Sequence, residues 1–412
     1  MMNKIAIFIP EFPGQTHTFF WNEAKALKKL GRELVIFSTQ KPEKNTQVHA
    51  WSKDALKETN FLFSWTIPTI LSLIRDVLFF NKKQFIQLLR LASKYKTHSI
   101  FKKLKHYTLT LFCIRLILKI KKKNITHIHV HSYSNCLTMT HLIHHLEGIS
   151  YSVTLHNQLD DIAPEQIKKF ESARFIVTIT EELKYLLLKQ LPSLSPNRVI
   201  VAPMGIDTQL FKRKKALTVE KFTKKIRLVS CGRLNPGKGF SSLIDVVACL
   251  SKEDIPVQLT IIGGGGSALE RKHEWVLRKK IKSLGLSKQI QLLGSVPNEK
   301  LVRYLENASI FILLSHQEGL GMAIVEAMSM QLPVIGSDRG GIKKLVVDSV
   351  TGYRVSPTKI QESTKAIKTL INNPKKAIEM GKKGREKIES RYSYKKSAKI
   401  LNTTLSQKEG LA

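Results

Sequence analysis

Residues 315–327 have the sequence SHQEGLGMAIVEA and come directly after an apolar run at 310–314. The run predicts a buried strand, and the spacing of apolar residues after Gly321 predicts a helix. Glu318 then lies in the turn between strand and helix, and Glu326 lies within the helix. Unpaired N–H groups at the start of such a helix favour an anion. Two carboxylates beside an anion site suit a ligand that is part phosphate and part polyol, although solvated glutamates on an ordinary crossover give the same pattern.

A second strand, turn and helix lie upstream. The apolar run at 228–231 leads into a glycine-rich turn at 232–239, and an amphipathic helix continues to Leu250. Glycines allow the backbone to pass close to a ligand, Arg233 offers a planar fork, and Lys238 offers a point charge for phosphate oxygens. The turn lacks the Gly-Lys-Ser/Thr order of a Walker A loop, which argues against a P-loop nucleoside triphosphatase. A glycine-rich turn with two surface cations is the alternative interpretation.

Strand-like apolar runs alternate with helical segments from end to end, in two successive series. The first series lies at 5–9, 34–37, 125–130, 151–155, 175–179 and 199–202, and the second at 226–230, 257–262, 290–293, 310–314 and 333–335. Such alternation predicts an α/β fold with parallel sheets, in which ligands collect at the carboxyl ends of strands. A chain of 412 residues exceeds what one core usually holds. We therefore expect two domains, separated by a basic polar stretch at 211–225.

Together these segments resemble the family 4 retaining glycosyltransferases, whose fold, GT-B, has two Rossmann-like domains facing each other across a cleft. The motifs that carry the resemblance cover nearly the whole C-terminal half: 232–239, 261–265, 293–297, 318–326, 333–335, 340–342 and 351–352. The N-terminal half matches more loosely, at 12–19, 22–23, 127–131 and 152–156, and resembles members that act in bacterial surface-polysaccharide or lipopolysaccharide assembly. The chain departs from the family pattern at Met204, at Asp348-Ser349 and at Lys343-Lys344, and the last pair makes the rim of the cleft more basic than usual.

The resemblance implies a role for each matching residue. Arg233 and Lys238 neutralise the donor diphosphate, Glu326 accepts both ribose hydroxyls, and the backbone at 319–323 holds the sugar and its phosphate. The implied nucleotide-sugar site comprises Gly14, Arg233, Lys238, Gly263, Val296, Gly319, Leu320, Gly321, Met322, Ala323 and Glu326. The implied catalytic residues are His156 and Glu318, and the acceptor side comprises Thr16, His17 and His131. The alternative for Gly14, Thr16 and His17 is an ordinary role in a loop. The alternative for His156 is a histidine whose hydrogen bonds are satisfied within a turn.

We expect no cofactor and no metal. The chain has no Asp-x-Asp pair, so the metal clamp of the other major glycosyltransferase architecture has no ligands, and Arg233 with Lys238 takes over its electrostatic role. His127, His129 and His131 alternate, so on a strand their side chains share one face, and zinc binding is the alternative there. Four cysteines without CxxC spacing are typical of reduced thiols rather than of a zinc site.

The chain is strongly basic, with 67 Lys and Arg against 32 Asp and Glu and a net charge of +35. Between positions 77 and 123 there are thirteen basic residues and no acidic one, interleaved with apolar residues. This pattern predicts basic amphipathic helices that lie on an anionic membrane surface. A helical subdomain with a solvated cationic face is the alternative, and nucleic acid is a poor candidate because no recognition motif accompanies the charge. Residues 61–80 are apolar, but Pro68 and the Arg75-Asp76 pair interrupt them, which argues against a membrane-spanning helix.

The predicted domains are an N-terminal Rossmann-like acceptor domain at 1–210 with an insertion at 61–123, a C-terminal nucleotide-sugar domain at 211–375, and final helices at 376–412 that return to the first domain. No signal peptide precedes the first strand, so we expect a cytoplasmic protein that is peripheral on the membrane. The leading interpretation is a hexosyl or other glycosyltransferase that moves a sugar from a nucleotide-sugar to a lipid-linked, lipopolysaccharide or exopolysaccharide acceptor. The alternatives are a soluble synthase or nucleotide-sugar epimerase that acts on small sugars, and a non-enzymatic polyanion-binding protein.

Overall fold

The computed structural model describes residues 4–14, 16–43, 47–64, 66–93, 100–156, 167–223, 225–264 and 266–409. They belong to two compact units. One unit consists of Met1–Gln47, Trp51–Pro203 and Ser397–Ala412, and the other of Val48–Ala50 and Met204–Lys396. Each unit contains one parallel β-sheet with flanking helices, which confirms the α/β fold predicted from the alternating runs.

The first unit contains a seven-stranded sheet. Its strands are β1 Ile5–Glu11, β2 Leu34–Gln40, β3 Thr59–Phe63, β4 His127–His131, β5 Ser150–Leu155, β6 Ile176–Thr178 and β7 Val199–Val201. Its helices are α1 Thr18–Lys29, α2 Ser52–Glu58, α3 Ile67–Leu78, α4 Lys82–Ser93, α5 Ile100–Lys122, α6 Asn135–Glu147 and α7 Glu181–Gln190. The strand order is β3-β2-β1-β4-β5-β6-β7, so the chain changes its direction of travel across the sheet between β1 and β4. Ligands of open α/β sheets bind at the carboxyl ends of strands beside such a change.

Apolar side chains fill both faces of β1, as expected for a parallel sheet that helices cover, whereas histidines and hydroxyl residues occupy one face of β4 and β5. Phe8, Val130 and Tyr151 are fully buried in this core. Helix α6 packs beside them and has a clear start and end. The Ser134 hydroxyl accepts from the N–H of Cys136 at the start, and Gly148, with φ of +70°, ends the helix.

The second unit contains a six-stranded sheet. Its strands are β8 Ile226–Cys231, β9 Val257–Ile262, β10 Ile290–Gly294, β11 Ile310–Leu313, β12 Val334–Ser337 and β13 Gly352–Val355. Its helices are α8 Phe240–Lys252, α9 Ala268–Ser283, α10 Asn298–Asn307, α11 Met322–Ser329, α12 Ile342–Leu345, α13 Ile360–Asn372 and α14 Pro374–Arg391, and α15 Tyr394–Glu409 belongs to the first unit from Ser397 onward. The strand order is β10-β9-β8-β11-β12-β13, which puts the change of direction between β8 and β11.

Each run predicted as a strand overlaps one, while β3 and β13 were not predicted. The region at 61–123 forms the last part of β3 and the helices α3, α4 and α5, with positions 65 and 94–99 outside the described residues. Helix α5 is part of the core of the first unit through Ile114, Ile117 and Ile120, whereas no side chain of α3 is fully buried. Within the described ranges, no helix has both the length and the apolar character that a bilayer-spanning segment needs.

Candidate active site

The predicted donor residues of the second unit follow the carboxyl ends of neighbouring strands. Lys238 ends the turn after β8, Gly263 follows β9, Val296 follows β10, and Glu318 follows β11. Because these strands are adjacent in the sheet, the four turns lie along one edge. The change of direction between β8 and β11 falls within this edge, which makes it the expected ligand site.

Lys238 and Glu318 form a direct ion pair. The Lys238 ammonium donates to Oε1 of Glu318, and the Ser315 hydroxyl donates to the same oxygen at 3.2 Å. The two side chains are 19% and 13% exposed, so water screens the pair only weakly. A phosphate next to Lys238 would compete with this carboxylate and leave Glu318 available to hydroxyl groups.

Two of the turns require glycine. Gly340 has a φ of +49°, and a Cβ there would lie 2.1 Å from the carbonyl oxygen of Glu318. The same oxygen accepts from the N–H of Gly341 at 3.0 Å, so this contact holds the Glu318 loop in place. Gly263 has a φ of +146°, and a Cβ there would lie 1.8 Å from the carbonyl oxygen of Gly232. Only glycine combines these dihedral angles with such close backbone contacts.

Helix α11 begins four residues after Glu318 in the chain. The carbonyl of Gly321 accepts from the N–H groups of Ile324 and Val325 at 2.9 and 3.2 Å. No side chain among the described residues caps this end. The first two N–H groups of the helix, from Met322 and Ala323, therefore keep their capacity to donate to a ligand. The start of α11 has the donors that the predicted anion site needs. Gly319 and Leu320, also predicted, lie in the loop that leads to it.

Glu326 lies half-buried on α11. Burial raises the pKa of its carboxyl to about 8, so the group holds its proton at neutral pH. Burial, and then the charge of Glu326, also raise the pKa of the Cys231 thiol at the end of β8. A ligand whose hydroxyls donate two hydrogen bonds to Glu326 would favour the ionised carboxylate. Both oxygens of the carboxylate are acceptors, whereas one oxygen of the protonated carboxyl carries a hydrogen and is a donor.

Arg233 lies near a carboxylate that sequence reasoning missed. Its side chain is 59% exposed, and its Nη1 lies 3.7 Å from Oε1 of Glu270. Oε2 of Glu270 accepts from the N–H groups of Gly266 and Ser267 at 2.8 and 3.1 Å, so this residue caps α9. The Ser-x-x-Glu pattern of a capping box at 267–270 was the available signal. Because the contact with Glu270 is long and the guanidinium is mostly exposed, Arg233 can reach another anion.

In the first unit, the loop after β1 closes on His17. The N–H of Gly14 donates to Nδ1 of His17 at 3.0 Å, and the N–H of His17 donates to the carbonyl of Gly14 at 3.1 Å. The His17 ring also stacks on Phe12, with ring centroids 6.2 Å apart. Thr16 is exposed beside this turn. The N–H of Gly14, a residue of the implied nucleotide-sugar site, thus donates to an imidazole.

His131, His156 and Glu23 form a polar chain at the end of β4. Nδ1 of His131 lies 3.1 Å from Nε2 of His156, and Nε2 of His131 lies 3.3 Å from Oε1 of Glu23. Burial lowers the pKa of His131 to about 3 and lowers the pKa of His156 well below its ordinary value. Both imidazoles are therefore neutral at neutral pH. Burial raises the pKa of Glu23.

Glu23, on α1, is the member of this chain to which sequence reasoning gave no role. Its Oε2 accepts from the Ser397 hydroxyl at 3.4 Å, while Oε1 faces His131. With its proton on Nε2, His131 would accept from Nε2–H of His156 at Nδ1, while Nε2 of His131 and Oε1 of Glu23, 3.3 Å apart, have no hydrogen-bond partner among the described residues. That arrangement leaves a lone pair on Nδ1 of His156, an atom with no hydrogen-bond partner among the described residues.

Hydroxyl groups satisfy the other alternating histidines. Each ring nitrogen of His127 and His129 lies 2.7 to 2.9 Å from a hydroxyl oxygen, which belongs to Ser150, Ser152 or Thr154. Possible metal ligands in the described part of the chain cluster at Glu23, His129 and His131, with ligand atoms within 4.8 Å of one another. Both nitrogens of His129 are already hydrogen-bonded, so the hydroxyls account for the burial of this ring without an ion.

The second unit matches the family model described as Glycosyl transferases group 1, over residues 212–387. The chain is 24% identical over 255 residues to a D-inositol 3-phosphate glycosyltransferase of Corynebacterium aurimucosum, a match that covers 58% of this chain and 60% of that protein. It is 28% identical over 214 residues to the amylovoran biosynthesis glycosyltransferase AmsK of Erwinia amylovora, a match that covers 50% of each chain. The chain thus spans between half and three fifths of the length of these curated relatives.

Solved structures resemble the chain over nearly its whole length. The Anabaena protein Alr3699/HepE, in complex with UDP and glucose, has a TM-score of 0.75 at 16% identity and covers 98% of this chain and 100% of that one. Sucrose-phosphate synthase from Thermosynechococcus elongatus has a TM-score of 0.74 at 17% identity and covers 100% of both chains. These likenesses confirm the GT-B fold, and together with the family match they support a glycosyltransferase.

Proposed function

We propose that the chain is a retaining, metal-independent glycosyltransferase of the family 4 type, which moves a sugar from a nucleoside diphosphate sugar to a lipid-linked or polysaccharide acceptor. One observation carries this proposal: the Lys238–Glu318 ion pair lies beside the uncapped start of α11, and Glu326 follows on the same helix. This arrangement combines donors for a diphosphate with acceptors for sugar and ribose hydroxyls. The Anabaena structure contains UDP, which makes a nucleoside diphosphate the first ligand to test.

The chemistry depends on charge that develops on the leaving group. As the bond between the anomeric carbon and the phosphate oxygen breaks, negative charge accumulates on the diphosphate. Lys238, Arg233 and the first N–H groups of α11 are the groups of this chain that would stabilise it. In a front-face displacement, the acceptor oxygen bonds to the anomeric carbon on the face that the phosphate leaves, and the acceptor proton passes to the departing phosphate oxygen.

Glu318 and His156 would contact the sugar in different ways. A phosphate on Lys238 takes the place of the Glu318 carboxylate, which then accepts from a sugar hydroxyl and faces the cationic anomeric carbon. His156 is neutral, and with its proton on Nε2 it would accept from another sugar hydroxyl at Nδ1 without adding charge. Glu23 would act through His131 as a positioning residue, because its Oε1 lies 3.3 Å from Nε2 of His131 and an acceptor at that distance favours a proton on Nε2.

Nucleotide binding is the first test. Calorimetric titration with UDP, GDP and ADP should give binding for at least one of them, and Lys238→Gln should weaken that binding by about tenfold or more, since a charge-assisted hydrogen bond is worth about 1.5–3 kcal/mol. Lys252→Gln, at the exposed end of α8, is the matched control and should bind like the unaltered protein. The absence of binding for all three nucleotides, or equal losses in both variants, would contradict the proposal.

Turnover tests the finer parts of the proposal. Glu318→Gln should lower kcat for the donor that binds, with little change in nucleotide affinity. Chelator treatment should leave kcat unchanged, because Arg233 and Lys238 provide the positive charge, and recovery of lost activity by Mg²⁺ or Mn²⁺ would refute metal independence. Anomeric configuration follows from NMR of the product. Transfer to a free sugar without any lipid-linked or polysaccharide acceptor would favour the small-sugar synthase instead.

We further propose that the first unit docks on an anionic membrane through α3. This helix exposes a row of large apolar side chains, among which Ile67 is 74%, Leu78 72% and the adjacent Phe79 85% exposed. The chain continues through positions 77–123 with thirteen basic residues and no acidic one. An apolar row that dense positive charge follows in the sequence has the composition of a surface that binds acidic lipids. Flotation with anionic and neutral vesicles tests the contact, and equal binding to both would refute its electrostatic part.

A further inference from the structure

A polar cavity lies between β3, α3 and α5 in the first unit, and it includes none of the residues assigned above. Its volume is about 400 Å³, and its lining has four cations, Arg75, Arg115, Lys119 and Lys122, with one acid, Asp76. Serine and threonine hydroxyls, two aromatic rings and Leu118 complete the lining. Ligand sites typically measure about 300–1,000 Å³, so this cavity suits a small ligand group.

Arg115 forms a rigid floor for the cavity. Its side chain is 6% exposed, and its Nε donates to Oδ2 of Asp76 at 2.8 Å. Its Nη1 donates to the carbonyl of Leu62 in β3 at 3.1 Å, and its Nη2 donates to the Ser72 hydroxyl in α3 at 2.6 Å. One guanidinium on α5 therefore ties the strand and both helices together. β3, α3 and α5 are thus held in place around the cavity before any ligand arrives, which lowers the entropic cost of binding.

The remaining positive charge of the cavity lacks a counter-charge. Asp76 neutralises Arg115, and among the described residues no acidic group forms an ion pair with Arg75, Lys119 or Lys122. Lys119 lies half-buried among these charges. Burial, followed by the charges of Arg115 and Lys123, lowers the pKa of its ammonium, and Asp76 offsets this only in part. An anion in the cavity would reduce the repulsion between these cations and offset the cost of burying the Lys119 ammonium.

We propose that this cavity binds the phosphate headgroup of an anionic membrane lipid. The ligand is a phosphate because three unpaired cations surround a space of this size, with hydroxyl donors beside them. We assign the phosphate to a lipid because α3 contributes both to the lining of the cavity and to the exposed apolar row. Thr69, Ser72 and Asp76 line the cavity, while Ile70, Leu71 and Ile74 of the same helix are exposed to solvent. The cavity therefore lies at the edge of the apolar row that would enter the bilayer.

The inference rests on the membrane contact proposed above and does not depend on glycosyl transfer. Three variants separate a bound headgroup from diffuse attraction. Ser64→Trp fills the cavity and keeps every charge, whereas the triple variant Arg75→Gln, Lys119→Gln, Lys122→Gln removes the unpaired cations. The triple variant Lys29→Gln, Lys53→Gln, Lys189→Gln removes the same charge from exposed positions of the first unit and is the matched control.

The probes are glycerol 3-phosphate in calorimetry, and flotation with vesicles of phosphatidylcholine alone or mixed with phosphatidic acid. Both cavity variants should lose glycerol 3-phosphate binding and should bind phosphatidic acid vesicles at least tenfold more weakly than the control triple. Lys238→Gln should keep the glycerol 3-phosphate binding, which separates this site from the proposed donor site. Ser64→Trp that behaves like the unaltered protein would overturn the proposal.

Two further outcomes would also overturn it. If the two cavity variants lose glycerol 3-phosphate binding but bind vesicles as the unaltered protein does, the ligand is a soluble phosphate compound. Failure of the unaltered protein to float with phosphatidic acid vesicles, while glycerol 3-phosphate still binds, would show that the membrane contact itself is wrong. Both outcomes are distinct from failure of the nucleotide titration, because that titration reports on Lys238 in the second unit.

Discussion

Replacement of Glu326 by glutamine should change how the stability of the protein depends on pH. In the unfolded chain, the carboxyl ionises near its ordinary pKa of 4.5, whereas in the folded protein burial keeps the proton on up to a pKa of about 8. Between these values the folded state binds one proton more than the unfolded state. The free energy of unfolding therefore falls as the pH rises from about 5 to about 8, and this loss is absent in Glu326→Gln.

The size of the effect follows from the two pKa values. Each pKa unit corresponds to about 1.36 kcal/mol, so a shift from 4.5 to about 8 corresponds to about 5 kcal/mol. Glu326 is only half-buried, and residual contact with water reduces the cost of its charge. We therefore expect Glu326→Gln to gain about 2–4 kcal/mol relative to the unaltered protein when the pH rises from about 5 to about 8.

Urea denaturation at several pH values measures this difference. Other titrating groups are common to both proteins, so subtracting the two curves isolates Glu326. Glu299→Gln, on the exposed surface of α10, is the matched control for the loss of a carboxylate. A difference between Glu326→Gln and the unaltered protein that stays constant from pH 5 to pH 8, or that changes in the opposite direction, would refute the reasoning from burial.

Three other predictions test the remaining features. Burial lowers the pKa of His127 to about 3, so between about pH 6.5 and pH 3 the unfolded state binds one proton more than the folded state. The free energy of unfolding therefore falls as the pH falls below about 6.5. In urea denaturation, His127→Gln should lessen this fall by about 1.4 kcal/mol per pH unit. Gly340→Ala should destabilise the protein by about 2 kcal/mol or more and lower kcat, because the new Cβ meets the Glu318 carbonyl at a left-handed φ. Glu23→Gln should lower kcat about tenfold or more with nucleotide affinity unchanged, since it disturbs the proton position on His131; equal losses in both would indicate a structural role.

Strands could be predicted from the sequence where an apolar run is separated from its neighbours. They were missed where the run merges with a neighbouring segment or is very short. Thr59–Phe63 forms β3, but it runs into the largely apolar stretch that forms α3, so the strand was not recognised as a separate run. Gly352–Val355 forms β13, a four-residue strand with an exposed Arg354. It is too short for an alternation of apolar and polar residues to be recognised. Both are edge strands, where one neighbour is missing and burial constrains composition less.

The candidate site was predictable in outline and not in its contacts. Lys238 and Glu318 are 80 positions apart, yet both follow strands, and the rule that ligands bind at the carboxyl ends of strands brings them to one edge. Their direct ion pair depends on loop conformations that no spacing encodes. Glu23 lies on a helix, and it reaches His131 only because β1 and β4 are neighbours, a fact about strand order rather than sequence order. The raised pKa of Glu326 depends on burial, which a position on a helix does not reveal.

The histidines of β4 show how register decides which side chain is left for chemistry. In the parallel pair β4 and β5, His127, His129 and His131 face Ser150, Ser152 and Thr154. Each of the first two rings bonds the hydroxyl opposite it and the next hydroxyl along β5. For His131 the next position on that face is 156, which holds a histidine and not a hydroxyl residue. His131 therefore bonds His156 through Nδ1 and turns Nε2 toward Glu23, so the regular ladder ends in a carboxyl and two imidazoles at the carboxyl end of the strand, where ligands of such sheets bind.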